Sequence, residues 1–425
     1  AEWGAELGRE IGYQVRFEKH WGDASRIVAV TDGVLLRLLQ ADPFLDGIAA
    51  VVFDEFHERR LESDLAFAMA RRVQREVRGD LHLVVMSATL ESEPVARFLG
   101  DCPVLESEGR RFPVEVSYLD DGAPLREPPP THPAEIVRAA ARAVPRFFED
   151  AGSQDAGGDL LAFLPGVGEI RRTQELLTEW AAREGVLLMP LYGDLDAESQ
   201  DAALRPQGQP RVVLATNVAE SSVTVDGIVG VIDSGWARVL RYDPGRGLDR
   251  LELARISQAS ADQRAGRAGR QRPGRCLRLW PRGDHRVAWD TPDVRRVDPA
   301  AAVLQLAAWG ETDAAAFPWF EAPEKAALAT AAELLEFLGA LDASGAITAT
   351  GRAMAGIPAQ PRAARLLVEA HQRGLAARGA VMAALLTERW PFRREPRQTA
   401  PGADLRSPGG AASDSDLLDA VEALE

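Results

Sequence analysis

The residues best suited to chemistry in this chain stand where an apolar run stops. Ile48 to Phe53 is short, apolar and continuous, and Asp54 and Glu55 follow it directly. Such a run reads as a buried strand of a parallel sheet. Ligands of open α/β sheets gather at the carboxyl ends of strands, and the two carboxylates fall there. A strand ending in two acids can hold Mg²⁺ and orient an attacking water for phosphoryl transfer. A helix cap after a buried strand would present the same residue types.

A second group lies at 258–270, where Arg264, Arg267 and Arg270 recur every third residue. On one continuous helix they would fall along one side. Gly266 and Gly269 stand between them, and each mid-helix glycine costs about 1 kcal/mol. Their lack of a side chain permits close approach to another surface. The chemical reading is a set of arginine fingers offered to a phosphate from a neighbouring domain, typically worth about 10³–10⁵ in rate. The plain alternative is a solvated basic face.

The elements that must position these groups are set by the chain's totals and periodicity. A length of 425 residues corresponds to about two to four domains. Hydrophobic content of 46% and charged content of 27% are ordinary for a soluble globular protein. No run approaches the ~18 apolar residues of a membrane span, and residues 1–10 carry no signal-peptide core. Cys102 and Cys276 match no metal-ligand spacing, which points to a reducing, cytoplasmic compartment. His57-Glu58 lacks the second histidine of a zinc-protease helix, because Leu61 stands in its place. A net charge of −15 argues against an overall pull on nucleic acid but allows a local cationic groove. The only lysines are Lys19 and Lys325; arginine suits bidentate phosphate contacts, although a genome-wide base bias would produce the same excess.

Taken in order, the periodicity predicts strands at 13–17, 26–30, 48–53 and 81–86, with helices from Thr31-Asp32-Gly33 and from Leu61 to about Val77 between them. Alternation of this kind means an α/β fold with a doubly wound parallel sheet. It resumes with strands at 160–164, 186–190, 212–215 and 228–232, and 239–256 reads as a β-hairpin. Beyond 297 the composition turns Ala/Leu-rich and helical, with a small strand at 345–348, as in a winged-helix module. The expected organisation is a first lobe at 1–121 and a second at 122–296, opened by a Pro-rich linker. A winged-helix-like domain at 297–357 and a helical region at 358–425 follow.

Asp-Glu-Phe-His at 54–57, Ser-Ala-Thr at 87–89, Ala-Thr-Asn-Val-Ala-Glu-Ser-Ser-Val-Thr-Val-Asp-Gly at 215–227 and Gln-Arg-Ala-Gly-Arg-Ala-Gly-Arg at 263–270 resemble the ordered motifs of DEAH-box superfamily 2 helicases. Phe56, Leu-Pro-Gly-Val-Gly-Glu-Ile at 164–170 and Leu-Tyr-Gly-Asp-Leu at 191–195 make the chain most similar to the bacterial HrpB type. The resemblance covers essentially the whole chain. It implies two RecA-like parallel-sheet lobes, then a winged-helix domain and the start of a ratchet-like domain. It also implies ATP and Mg²⁺ as cofactors, and ATP cleavage between the lobes coupled to translocation along a strand, RNA more readily than DNA. A monomer working in the cytoplasm, with no membrane partner, is expected.

Position by position, the resemblance implies that Asp54 holds Mg²⁺ through water and Glu55 polarises the attacking water. His57 would link to Gln263, and Gln263, Arg267 and Arg270 would face the γ-phosphate. Thr224 and Asp226 would touch the nucleotide or its metal waters, and Ser87 and Thr89 would couple nucleotide state to movement. Thr31, Asp32 and Gly33, with Gly166, Thr216 and Asn217, would track one nucleic-acid backbone, and the 239–256 hairpin would act as a wedge.

One element of the pattern is missing. No Gly-x-x-x-x-Gly-Lys-Ser/Thr occurs, since His20 follows Lys19 and Ala326 follows Lys325. The resemblance places that loop upstream of Ala1, so an internal stretch of a longer protein is expected. The 425-residue chain by itself should then hydrolyse ATP poorly or not at all, because the loop that cradles the α/β-phosphates is absent. Mg²⁺-dependent phosphate release by the purified chain would refute this. Two other functions fit the same residues: a nucleic-acid-stimulated NTPase that remodels complexes without processive unwinding, and a non-enzymatic nucleic-acid-binding platform.

Overall fold

Strands rich in apolar residues alternate with amphipathic helices along most of the computed structural model. It describes residues 4, 6–88, 92–107, 112–121, 129–150, 158–221, 223–243, 247–387, 417, 420, 421 and 424. Thr89, most of the expected linker (122–128), the hairpin tip (244–246) and residues 396–414, whose Pro, Gly and Ser content reads as a loose segment, lie outside them.

In chain order the first elements are β1 (Ile11–Val15), β2 (Glu18–His20), β3 (Ile27–Val30), α1 (Asp32–Ala41), β4 (Ala50–Phe53), α2 (Leu61–Glu76) and β5 (His82–Val85). Then come α3 (Ser92–Phe98), β6 (Val114–Tyr118), α4 (Pro133–Asp150), β7 (Asp159–Phe163), α5 (Val167–Glu184), β8 (Leu187–Leu191), α6 (Ala197–Leu204) and β9 (Arg211–Ala215). They are followed by β10 (Ile228–Asp233), the hairpin β11 (Trp236–Asp243) and β12 (Leu248–Arg255), α7 (Gln258–Gly266) and β13 (Gly274–Arg278). The rest is helical: α8 (Ala300–Trp309), α9 (Lys325–Phe337), α10 (Ala349–Ala355), α11 (Pro361–Gln372) and α12 (Ala376–Thr387). Contacts gather these into two units, one of Ala1–Phe53, Arg59–Val84 and Asp298–Glu425, the other of Asp54–Glu58 and Val85–Val297.

The second unit is built on a six-stranded sheet in the order β6-β13-β10-β7-β9-β8, with every neighbouring pair parallel. Its middle strands β7 and β9 are buried along their whole length. That is why their sequences are unbroken apolar runs rather than alternations. Alternate residues serve opposite faces. Leu160, Ala162 and Leu164 pack with Ile136, Val144, Ile170 and Leu177 of α4 and α5. Leu161 and Phe163 pack with Ala203, Ala219, Ala265 and Ala268 on the other side. At the amino end of β9 a buried Arg211 donates to Asp159 at 2.6 Å and to the carbonyl oxygens of Ala203 at 2.8 Å and Asp226 at 2.6 Å. Its charge is thereby paired and its donors satisfied.

The expected boundary at 121/122 does not coincide with the division of the sheets. β6 falls within 1–121, yet it forms the edge of the second unit's sheet, paired in parallel with β13 from Val114↔Gly274 to Tyr118↔Arg278. Short, half-buried strands of this kind are edge strands, and a partner about 160 residues later in the chain leaves no local trace in sequence.

In the first unit the strands form two smaller sheets, β2-β1-β3 and β4-β5. The run ending at Phe53 reads in sequence as buried on both faces, but only alternate residues are buried. Val51 and Phe53 face the core, whereas Val52 is 52% exposed and Val84, on the paired strand, 43%. Among the described residues nothing covers that second face. The covered face meets α1 and α2, where Leu39, Leu65, Phe67 and Met69 are fully buried. Phe67 stacks edge-on against Phe53 at 5.2 Å and Phe320 at 5.7 Å. Arg59 lies 4.6 Å from the centre of the Phe320 ring and pairs with Asp64 and Glu321, so the helical segment after 298 is part of the same core. In the helical region after 358, α11 and α12 are separated at Gly374, whose φ of +72° ends the first. Among the described residues, no helix is long and apolar enough to cross a membrane.

Candidate functional site

The acidic turn after β4 belongs to the second unit although its flanking residues belong to the first. Asp54 accepts a hydrogen bond from the Glu55 backbone N–H at 2.8 Å. Glu55 itself has φ +49°, a left-handed conformation that costs a non-glycine residue on the order of 1–3 kcal/mol and recurs at functional sites. Phe56–Glu58 then form one 3₁₀ turn. That turn is anchored by the buried Phe56 ring and by its N–H donating to the Met86 carbonyl oxygen at 3.1 Å. Ser87, the next residue, is thus one step from this anchor, at the end of β5.

His57 reaches α7. The Gln263 side-chain amide donates to His57 Nε2 at 3.1 Å. Nδ1 lies 3.5 Å from the Glu55 carboxylate and has no hydrogen-bond partner among the described residues. Through Gln263, His57 joins the acidic turn to α7. Alongside it, the Ser221 hydroxyl donates to Glu58 in a short hydrogen bond.

The three arginines do not share a helix face. α7 ends at Gly266, Arg267 caps it and Arg270 lies beyond. At Gly269, past that end, a Cβ would sit 2.6 Å from the Phe112 carbonyl oxygen, and the Phe112 N–H donates to the Gly269 carbonyl oxygen at 2.9 Å. Close approach is what the glycine permits, but to β6 rather than to a ligand. Arg264 is 1% exposed and donates to Glu220 at 2.8 Å and Asp233 at 2.9 Å. Burial by itself would lower its pKa, but the Asp233 and Glu220 carboxylates outweigh it and hold the guanidinium above its ordinary range. Burial pushes the Glu220 carboxyl up, against the pull of Arg264. Arg264 is thus a buried strut and not a finger.

Arg267 is 4% exposed. It donates to the Glu220 carbonyl oxygen at 2.8 Å and the Val223 carbonyl oxygen at 2.7 Å, bracing the loop after β9. Arg270 alone of the three is exposed, and it donates to Thr224 Oγ at 3.0 Å. Asp226 accepts from the Gln271 amide at 3.0 Å, and Gln271 also accepts from the Gly227 N–H. The structure therefore gathers Asp54, Glu55, His57, Ser87, Gln263, Arg267, Arg270, Thr224 and Asp226 in one unit.

Gly166 and Thr216-Asn217 follow the neighbouring strands β7 and β9, at the carboxyl edge of the sheet. A Cβ at Gly166 would lie 2.7 Å from Arg238 Nε, so any side chain there would have to displace that arginine. Thr31, Asp32 and Gly33 open α1 in the first unit, with Thr31 as its N-cap. Residues without an assigned part in the sequence also prove central: Glu58, Glu220, Ser221 and Gln271. Glu220 and Ser221 lie inside a recognisable motif, but nothing local says which partner each takes. Among the described residues no group of three or more His, Cys, Asp or Glu could hold a metal by itself. An exposed Asp54 with Glu55 beside it suits Mg²⁺, which keeps several waters and takes further ligands from phosphates.

The helicase conserved C-terminal domain matches residues 140–272, and the helicase associated domain (HA2), winged-helix, matches 331–359. With the ordered motifs on a parallel α/β sheet, these define the class: the chain belongs to the DEAH-box superfamily 2 helicases. Within it the HrpB type is shown by the relatives. The ATP-dependent RNA helicase HrpB of Escherichia coli K12 is 42% identical over 387 residues, covering 90% of this chain and 46% of that protein. The ATP-dependent RNA helicase HrpA of the same organism is 37% identical over 396 residues, covering 92% of this chain and 30% of that one. The crystal structure of Escherichia coli DEAH/RHA helicase HrpB superposes with a TM-score of 0.78 at 41% identity, covering 92% of this chain and 48% of that chain. The chain spans about half the length of the HrpB proteins it matches.

Proposed function

We propose that this chain is the motor portion of an ATP-dependent RNA helicase, in which ATP hydrolysis drives movement along one RNA strand. The observation that carries the reading is the acidic turn Asp54–Glu58 held on α7 by the His57–Gln263 hydrogen bond, within the unit that also presents Arg270. Asp54 would hold Mg²⁺ through its water shell, and the metal supplies charge neutralisation at the phosphates. Glu55 takes the proton of the attacking water. His57 ties the acidic turn to α7 through Gln263. Arg270 meets the charge that develops on the transferred phosphoryl group, with Thr224 and Asp226 beside it. Arg267 braces the loop that carries Thr224 and reaches the phosphate only when released from its carbonyl partners. Ser87 and Thr89 couple the nucleotide to movement. Thr31, Asp32, Gly33, Gly166, Thr216 and Asn217 contact phosphate and sugar rather than bases, so binding is expected to be largely independent of sequence.

The test is the full-length gene product, assayed for Mg²⁺-dependent ATP hydrolysis with and without single-stranded RNA, and for displacement of a strand from a tailed RNA duplex, with DNA in parallel. RNA-stimulated hydrolysis with strand displacement is expected. Hydrolysis indifferent to RNA would overturn the reading; stimulation without displacement would make the protein a remodelling NTPase.

A further inference from the structure

The His57–Gln263 bond is not alone in tying the acidic turn to the rest of its unit. Glu58, one residue on, accepts the hydroxyl proton of Ser221. Together with the buried Phe56 and its N–H bond to Met86, these two adjacent bonds to different elements fix the orientation of the turn. Glu58 is joined to the carboxylate pair through one tight turn, because its N–H donates to the Glu55 carbonyl oxygen at 3.0 Å. Ser221 opens the other side. Glu220, its neighbour, pairs with Arg264 through its side chain and accepts Arg267 through its carbonyl oxygen. The same loop supplies the Val223 carbonyl oxygen to Arg267 and the Thr224 hydroxyl to Arg270. Glu220, Val223 and Thr224, which accept from these two arginines, all lie close to Ser221 in the chain.

We propose that Glu58 and Ser221 form a positioning latch that sets the distance between the Asp54-Glu55 carboxylates and the loop to which Arg267 and Arg270 donate. Neither residue touches the reacting atoms. The latch acts on Glu55 through the 3₁₀ turn and on Arg270 through the Thr224 end of the loop. This inference rests on the ATPase reading above. Ser221 is the better probe, since loss of one hydroxyl at a half-buried position leaves the fold intact.

The experiment compares wild type, Ser221→Ala, Ser221→Thr, Glu58→Ala and the Ser221→Ala/Glu58→Ala double variant in the full-length gene product. The readouts are RNA-stimulated ATP turnover, KM for ATP, RNA affinity and thermal midpoint. Ser221→Ala is expected to lower kcat about tenfold with KM and RNA affinity within about twofold, the pattern of an interaction made only on the way to the transition state. Ser221→Thr keeps the hydroxyl and should recover most of the turnover. The double variant should be no slower than the slower single variant, because both remove the same contact. Turnover of Ser221→Ala within about twofold of wild type overturns the latch, as does a multiplicative loss in the double variant. A loss that Ser221→Thr fails to restore, or one that follows the thermal midpoint, overturns it too. A wild-type protein with no ATP hydrolysis overturns the underlying reading instead, and the two failures are told apart by that control.

Discussion

Arg270→Ala in the full-length gene product is expected to lower RNA-stimulated ATP turnover by about 10³-fold while leaving the thermal midpoint where it was. Arg270 lies past the end of α7, exposed, and bonds Thr224 Oγ at 3.0 Å. Surface substitutions of this kind usually change stability by about 0.5 kcal/mol or less. A guanidinium aimed at developing phosphate charge acts in the transition state, so its loss should fall on kcat more than on KM. Arg270→Lys should recover little of the rate, because a point charge cannot replace the planar fork. Steady-state kinetics and a thermal melt decide the matter. Turnover within tenfold of wild type would remove Arg270 from the chemistry; a lowered melting point would make it a structural residue.

The opposite outcome is expected six residues earlier. Arg264→Ala should destabilise the second unit by about 3–5 kcal/mol, the usual cost of stripping one partner from a buried ion pair. Asp233 is fully buried, and its Oδ2 already makes no hydrogen bond. Without the guanidinium at 2.9 Å it would be left as a charge in an apolar setting. Glu220 would lose its 2.8 Å partner as well, and the Phe163 ring would lose the cation stacked 4.8 Å from its centre. Urea denaturation followed by tryptophan fluorescence should show the midpoint falling. Trp236, whose carbonyl oxygen also accepts from Arg264, reports from the site itself. A midpoint unchanged within error would show that the pair contributes nothing net. Two arginines of one motif thus separate by readout: one lowers rate at constant stability, the other lowers stability first.

That separation also marks how far the sequence could be read. The acidic turn, the polar residues after β7 and β9, and the Gln263–Arg270 motif were all legible. Each sits next to a hydrophobic run whose period is a local property. The glycines were legible as sites of close approach, and Gly269 meets the Phe112 backbone. The regular spacing of Arg264, Arg267 and Arg270 was misleading. It suggested one helix face, whereas α7 stops at Gly266 and the three side chains go to a buried carboxylate pair, loop carbonyl oxygens and a surface hydroxyl.

By itself, then, the chain's sequence determined the kind of protein: parallel α/β layers, carboxylates at a strand end, arginines in a glycine-punctuated motif, and the family these define. Those are matters of residue type and short spacing. Only the tertiary structure decided that β6 joins the six-stranded sheet, that Arg264 is a strut, and that Glu58 meets Ser221. Each is a pairing between residues 31 to 163 positions apart. Burial and hydrogen-bond geometry select such partners only once the chain has closed on itself, so no local pattern announces them.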